Sequence, residues 1–202
     1  MPIIFDVGAN WGTDSLPKVE LDLSLVCHAF EPTYELVRHL YSKSAHFRER
    51  YIIHPIAISD FDGKATFNVA PLGDWGVSSL NEFADDIEKT WPGREDLKVT
   101  STVEVDVYRL ETLFKLGALP VQEIEFFHCD VQGSDLKALQ GMANYVRLIK
   151  HGCIEVPMSE GVKLYKDQHS KEDVISFLNH WGFEIYEVQN QMNEQNLFYR
   201  RK

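Results

Sequence analysis

Short apolar runs that each break at an acidic or glycine-containing turn, separated by segments of helical periodicity, limit this chain's fold more than any other feature. Residues 2–7 (PIIFDV) stop at Gly8, residues 25–30 (LVCHAF) at Glu31-Pro32, and residues 124–129 (IEFFHC) at Asp130. Between the first two runs, residues 13–22 can hold a helix, with Thr13 or Asp14 as cap and Pro17 in its first turn. Residues 33–47 follow as a second helix, with Leu36, Val37, Leu40 and Tyr41 on one face. Strand–helix alternation of this kind predicts an α/β chain with a mostly parallel sheet and helices on both faces.

The alternation continues downstream. Residues 51–58 (YIIHPIAI) form a third strand whose ladder Pro55 must end or bulge, and Asp62-Gly63 turns into 64–69, an alternating stretch of hairpin character. After residue 101 come a strand at 103–107, a helix at 110–116, the strand at 124–129 and a helix at 134–139. A strand at 148–156, a helix at 171–181 and an antiparallel pair at 183–188 and 197–200 complete the chain. The exception is an insertion at about 70–101, broken by Pro71, Gly73, Gly76, Pro92 and Gly93. Within it Leu80, Phe83, Ile87 and Trp91 recur at helical spacing, which predicts a short amphipathic helix. A lid or substrate-facing element and a packed surface excursion fit this segment equally well. With no internal repeat and no linker, the 202 residues read as one domain.

Composition narrows the partners. Twenty Lys and Arg against thirty-one Asp and Glu give a formal charge of −11, which repels a polyanion and argues against nucleic acid. No apolar run approaches the roughly 18–20 residues of a membrane helix, and the N-terminus lacks the features of a signal peptide, so a cytoplasmic location is expected. Cys27, Cys129 and Cys153 sit in apolar runs without C-x-x-C spacing and read as buried free thiols. No metal-ligand spacing is present. Oligomeric state is left open by the sequence.

In open α/β sheets the ligand lies beyond the carboxyl ends of the strands, and here those ends carry the chemistry. The first run closes on Asp6-Val7-Gly8-Ala9-Asn10-Trp11-Gly12, a glycine pair spaced G-x-x-x-G behind a carboxylate. A dinucleotide fingerprint instead sets G-x-G-x-x-G against a pyrophosphate, which a carboxylate would repel. An ammonium or sulfonium group is favoured by the same Asp6. Glu31 closes the second run and can accept both hydroxyls of a ribose, or it can serve as an N-terminal acid on the next helix, with Pro32 at its first position. Ala57 and Ser59 close the third, Asp130 the fourth, and Glu155 takes the equivalent place on the fifth.

Taken together, FDVGANWG (5–12), FEP (30–32), AISDFDGKATF (57–67), DVQGSDLKALQG (130–141) and IEV (154–156) resemble the FkbM family of S-adenosylmethionine-dependent methyltransferases. The resemblance spans residues 5–156 and rests on the combination, order and spacing of the segments. It implies a Rossmann-like class I methyltransferase fold, with a seven-stranded sheet whose last strand is antiparallel. It also implies bound S-adenosylmethionine and O-methylation of a hydroxyl on a sugar, glycan or natural product. Carried over by position, Asp6, Gly8, Ala9, Asn10 and Gly12 hold the methionine end, Glu31 with Pro32 the ribose, and Ala57 and Ser59 the adenine side; Asp130 faces the methyl group. Gln132 stands where an acid is frequent in the family pattern, which argues against a metal there.

A hydroxyl acceptor needs a base, and Asp130, assisted or replaced by Glu155, is the candidate. His54, beside Pro55 near a strand end, is an alternative base; His128 and His151 read as structural residues. Trp75, Ser78 and Ser79 are candidates to stack on and hydrogen-bond a sugar ring. Two other readings compete: an NAD(P)-dependent oxidoreductase on the same architecture, and a binding module that has lost turnover.

Overall fold

A computed structural model describes residues 1–71, 76–158 and 162–202. The main sheet has seven strands: β1 (Ile3–Val7), β2 (Val26–Phe30), β3 (Tyr51–His54), β7 (Ile124–Cys129), β8 (Ile149–Pro157), β9 (Phe183–Gln191) and β10 (Glu194–Arg201). Their spatial order is β3-β2-β1-β7-β8-β10-β9. β10 lies between β8 and β9 and runs against both, while β1, β2, β3, β7 and β8 pair in parallel.

Alternation along β1 divides the core. Ile3, Phe5 and Val7 face a cluster with Leu110, Leu113 and Phe114 of α4 (Leu110–Lys115), Leu136 and Leu139 of α5 (Asp135–Gln140), and Val174 and Leu178 of α6 (Lys171–His180). Ile4 faces the opposite cluster, with Val19 of α1 (Leu16–Leu21) and Val37 and Leu40 of α2 (Tyr34–Lys43). β1 is buried at all five positions because helices cover both faces of the sheet. Gly152 in β8 belongs to this packing: a Cβ there would stand 2.2 Å from the Tyr199 ring, so its missing side chain is the space the tyrosine fills. The three cysteines are free and buried.

Residues 51–58 do not form one strand. Proline at 55 cannot donate to a ladder, and the chain leaves the main sheet there. β4 (Ala57–Ile58) joins a separate three-stranded sheet of order β4-β6-β5, with β5 at Gly63–Val69 and β6 at Ser101–Tyr108. The turn at Asp62-Gly63 is therefore not a hairpin turn. β5 pairs antiparallel with β6, across the whole intervening insertion, and β4 pairs in parallel with the end of β6. Asp62 instead binds the Arg109 backbone N–H at 2.8 Å and its guanidinium at 2.7 Å, tying the turn to the start of α4.

The amphipathic helix expected over 80–91 is reduced to one turn, α3 (Ile87–Thr90). Leu80 packs on the small sheet, and Phe83 stacks on Tyr165 at 5.3 Å, so tertiary contacts on two different surfaces override the helical periodicity. A 3-10 segment at Ala143–Leu148, unanticipated in the sequence, leads into β8.

Candidate active site

The strand order reverses direction between β1 and β7, and the turns after β1, β2 and β7 meet there. Gly8 takes φ +87°, and a Cβ on it would stand 1.8 Å from the Asp130 carbonyl oxygen, so the two turns close on each other only with glycine at this position. The amides of Gly8 and Ala9 both donate to the Phe30 carbonyl at 3.0 Å. Asn10 follows with φ +47°, which aims its N–H at Glu31 Oε2, 2.9 Å away. The Thr33 N–H donates to Glu31 Oε1 at 2.7 Å. Burial raises the Glu31 carboxyl above its ordinary range, and the two amides only partly oppose that. Each oxygen keeps a second lone pair for a ligand.

These turns wall a cleft of about 700 Å³, with Gly8, Asn10, Glu31, Pro32, Ala57 and Asp130 among its lining. Leu36, Ile56, Ile58, Phe67 and Leu80 make one part of it apolar. No Lys or Arg is among the described lining residues, whereas two carboxylates are. Ala9 and Gly12 stand outside the lining: Ala9 is buried in the core, and Gly12 packs against Leu16 and Leu40. Ser59 is also outside it, and its carbonyl oxygen is where a Cβ on Gly141 would collide. Ser78 lines the cleft, although its hydroxyl accepts from the Ala70 amide. Ser79 is buried outside the lining and donates to the Gln132 carbonyl at 2.6 Å. Trp75 falls outside the described residues.

Asp6 is not in the cleft lining either. It is register partner to His128 across the β1–β7 pairing, and its two oxygens are held by His128 Nδ1 at 2.8 Å and by the Ser15 hydroxyl. Burial works to raise its pKa, but the hydrogen bond and charge of His128 outweigh it and hold Asp6 below the usual carboxylate range. Conversely, burial would depress His128, yet Asp6 lifts it to about 9. The pair is therefore an internal ion pair. His54, the alternative base, bonds His28 at 2.9 Å and stacks on Phe30 at 4.6 Å, and burial depresses it to about 4. It does not line the cleft.

Asp130, Gln132 and Val77 also line a second pocket of about 580 Å³, with Trp91, Arg94, Glu155, Tyr165 and Glu194. Gln132, at φ +54°, donates through Nε2 to Asp130 Oδ1 at 2.6 Å and to Glu155 Oε2 at 3.0 Å. Its Oε1 accepts from the Tyr165 hydroxyl at 2.6 Å. The loop that presents it is fixed by Asp135, whose carboxylate takes the N–H groups of Val131 and Gly133, each at 3.0 Å. Burial raises the Asp130 carboxyl, opposed by the His128 charge and the Gln132 amide. Burial also raises the Glu155 carboxyl well above its ordinary range, and the neighbouring Asp130 and Glu194 charges add to that, so Asp130 and Glu155 titrate as a pair.

Gln132, Tyr165 and Glu194 were absent from the sequence-derived site. Gln132 stood inside the 130–141 segment as a recognisable departure, but Tyr165 and Glu194 belong to no motif and reach the pocket only through folding.

The methyltransferase FkbM domain matches residues 6–185. This chain belongs to the FkbM methyltransferase family. No match was found among curated protein sequences. Similar solved structures include fibrillarin of Methanococcus jannaschii, at 14% identity and TM-score 0.52, covering 99% of this chain and 66% of the other. M. capricolum TrmK in complex with S-adenosylhomocysteine matches at 9% identity and TM-score 0.52, covering 100% and 62%. Precorrin-6y C5,15-methyltransferase of Geobacter metallireducens matches at 10% and 0.52, covering 100% and 80%. The FkbM chain spans less than two thirds of the length of the first two. At such identities the likeness is one of fold, and the fold is that of class I methyltransferases. Among the described residues no helix is long and apolar enough to cross a membrane.

Proposed function

We propose that the chain methylates a hydroxyl of a sugar, glycan or natural-product acceptor, using S-adenosylmethionine held in the cleft walled by the turns after β1, β2 and β7. The observation that carries this reading is the cleft's lining: Glu31 and Asp130 with no Lys or Arg among the described residues. Such a wall repels the pyrophosphate of NAD(P) and suits a ligand whose only charged centres beyond a carboxylate are an ammonium and a sulfonium. The fit is consistent along the cleft. Glu31 would take the ribose hydroxyls, Leu36, Ile56 and Ile58 the adenine, and the turn at Gly8 and Asn10 the methionine end.

When bound, S-adenosylmethionine supplies an electrophilic methyl group on sulfur, and its transfer leaves a neutral thioether. The chain's own contribution is orientation and one proton. Asp130 lines both pockets and so stands where acceptor and cofactor adjoin. It accepts the proton released by the acceptor hydroxyl as the new O–C bond forms. Gln132 fixes its orientation through the hydrogen bond from Nε2 to Asp130 Oδ1, and the charge of His128 favours its ionised form against burial.

Calorimetry with S-adenosylhomocysteine and with NADH tests the reading. Glu31→Ala should weaken S-adenosylhomocysteine binding by about tenfold or more, the loss of a charge-assisted hydrogen-bond acceptor. Asp130→Asn should keep that binding and lose about a hundredfold or more in kcat, the usual contribution of a general base. Tight NADH binding without S-adenosylhomocysteine binding would instead restore the oxidoreductase reading.

A further inference from the structure

The second pocket presents mainly hydrogen-bond acceptors to its interior. Both amide hydrogens of Gln132 are committed to Asp130 and Glu155, and the Tyr165 hydroxyl is committed to Gln132. Glu194, only 7% exposed, lies at the start of β10 among the lining residues, and its buried carboxyl oxygen Oε1 lacks any hydrogen-bond partner. A buried carboxyl oxygen without a donor is costly, and a pocket that retains one is built around a donor that arrives from outside. Arg94 is the one cationic side chain in the described lining. Its guanidinium is engaged by Asp96 and stacked on the Trp91 ring at 5.1 Å, and its charge offsets only part of the burial and carboxyl repulsion that raise Glu194.

We propose that this pocket is the acceptor subsite and that it recognises a protonated amine carried close to the hydroxyl to be methylated, with Glu194 as the residue that selects it. The inference rests on the methyltransferase reading above and adds the charge class of its substrate. Three carboxyl groups, Asp130, Glu155 and Glu194, converge on a pocket largely screened from water. Burial and mutual repulsion raise all three above the ordinary carboxyl range, and a neutral polyol can satisfy their hydrogen bonds but brings no charge to offset that repulsion. An ammonium does both, with three donors and one positive charge. A carboxylate or phosphate on the acceptor is excluded by the same wall. Seated in this way, the amine is held by Glu194 and the neighbouring hydroxyl is left to Asp130.

The test uses matched pairs that differ only in charge: glucosamine with glucose, and trans-2-aminocyclohexanol with trans-1,2-cyclohexanediol. Each is titrated into the full chain saturated with S-adenosylhomocysteine. The amine of each pair should bind about tenfold more tightly, the increment of a charge-assisted hydrogen bond over a neutral one. Glu194→Gln should erase most of that preference while S-adenosylhomocysteine affinity holds, and Glu194→Asp, which keeps the charge, should retain part of it. Equal binding within each pair, binding of neither member, or a preference that survives Glu194→Gln in a folded protein would overturn the proposal. If the folded wild type bound no S-adenosylhomocysteine, the methyltransferase reading itself would fail, an outcome separable from the others because it is read before any amine is added.

Discussion

The Asp6 carboxylate and the His128 imidazole lie 2.8 Å apart between β1 and β7, and each shifts the other's titration in the direction that preserves the charge pair. The sign of the pH effect follows from the raised pKa of His128. Its contribution is whole below about 6.5, the value of a free imidazole, and fades as pH rises through about 9. Asp6→Asn leaves a largely desolvated, half-buried imidazole without its counter-ion, so it should cost about 3 kcal/mol of stability near neutral pH. Chemical denaturation at several pH values should show this gap closing above about pH 9. A variant equally destabilised on both sides of that pH would show that packing, and not charge, joins the two residues. Glu31 differs because its carboxylate is bonded to backbone amides alone, which leaves it available to a ligand as well as to the fold.

Among the elements, the turn after β1 and the capped start of α6 offer a contrast between site and scaffold. Gly8→Ala would drive a Cβ into the Asp130 carbonyl and must displace one turn from the other, so binding of S-adenosylhomocysteine should fall by at least about a hundredfold. At α6, Ser170 Oγ accepts from the Asp173 N–H at 3.1 Å and the Asp173 carboxylate accepts from the Ser170 N–H at 3.0 Å. Ser170→Ala should cost about 1 kcal/mol in stability and leave cofactor affinity unchanged. Calorimetry and denaturation on both variants separate the two effects; if Gly8→Ala bound cofactor normally, the close approach of the two turns would not matter to the site. The insertion shows the opposite behaviour of an element. Its helical spacing was legible, yet Leu80 and Phe83 are claimed by different surfaces, and the residues around Trp91 serve the second pocket.

At the scale of the whole molecule, two packed histidines that stay neutral in the fold should weaken it in acid. His28 and His54 bond one another at 2.9 Å beside the Phe5 and Phe30 rings, and burial depresses both to about 4, helped at His28 by the proximity of His54. In the unfolded chain each would take up a proton near 6.5, so folding stability is intact above that pH and is lost as pH falls through about 4. The loss should be on the order of 3 kcal/mol per ring, measured by urea denaturation across this range. Replacing both rings by Phe should flatten that acid limb; a limb of unchanged slope would assign it to the buried carboxyl groups.

Much of the architecture was legible because it is local. Runs such as IEFFHC coincide with β7 residue for residue, and Pro17, Gly141 and Gly182 punctuate helices for reasons each residue carries in itself. Glu31 and Asp130 could be picked out because strand ends in such a sheet must converge on one edge. Pairing at a distance was not legible. Nothing in residues 64–69 states that their partner lies at 101–108, since an alternating strand records which face is apolar and not which strand it meets. Nor could the sequence divide its carboxylates between tasks. Asp6 was turned inward by a histidine 122 positions away, while Glu194 was brought beside Asp130 by the reversal of β10 within the sheet. A side chain's type is fixed by the gene, but its charge state and its exposure to a ligand depend on the neighbours that tertiary folding supplies.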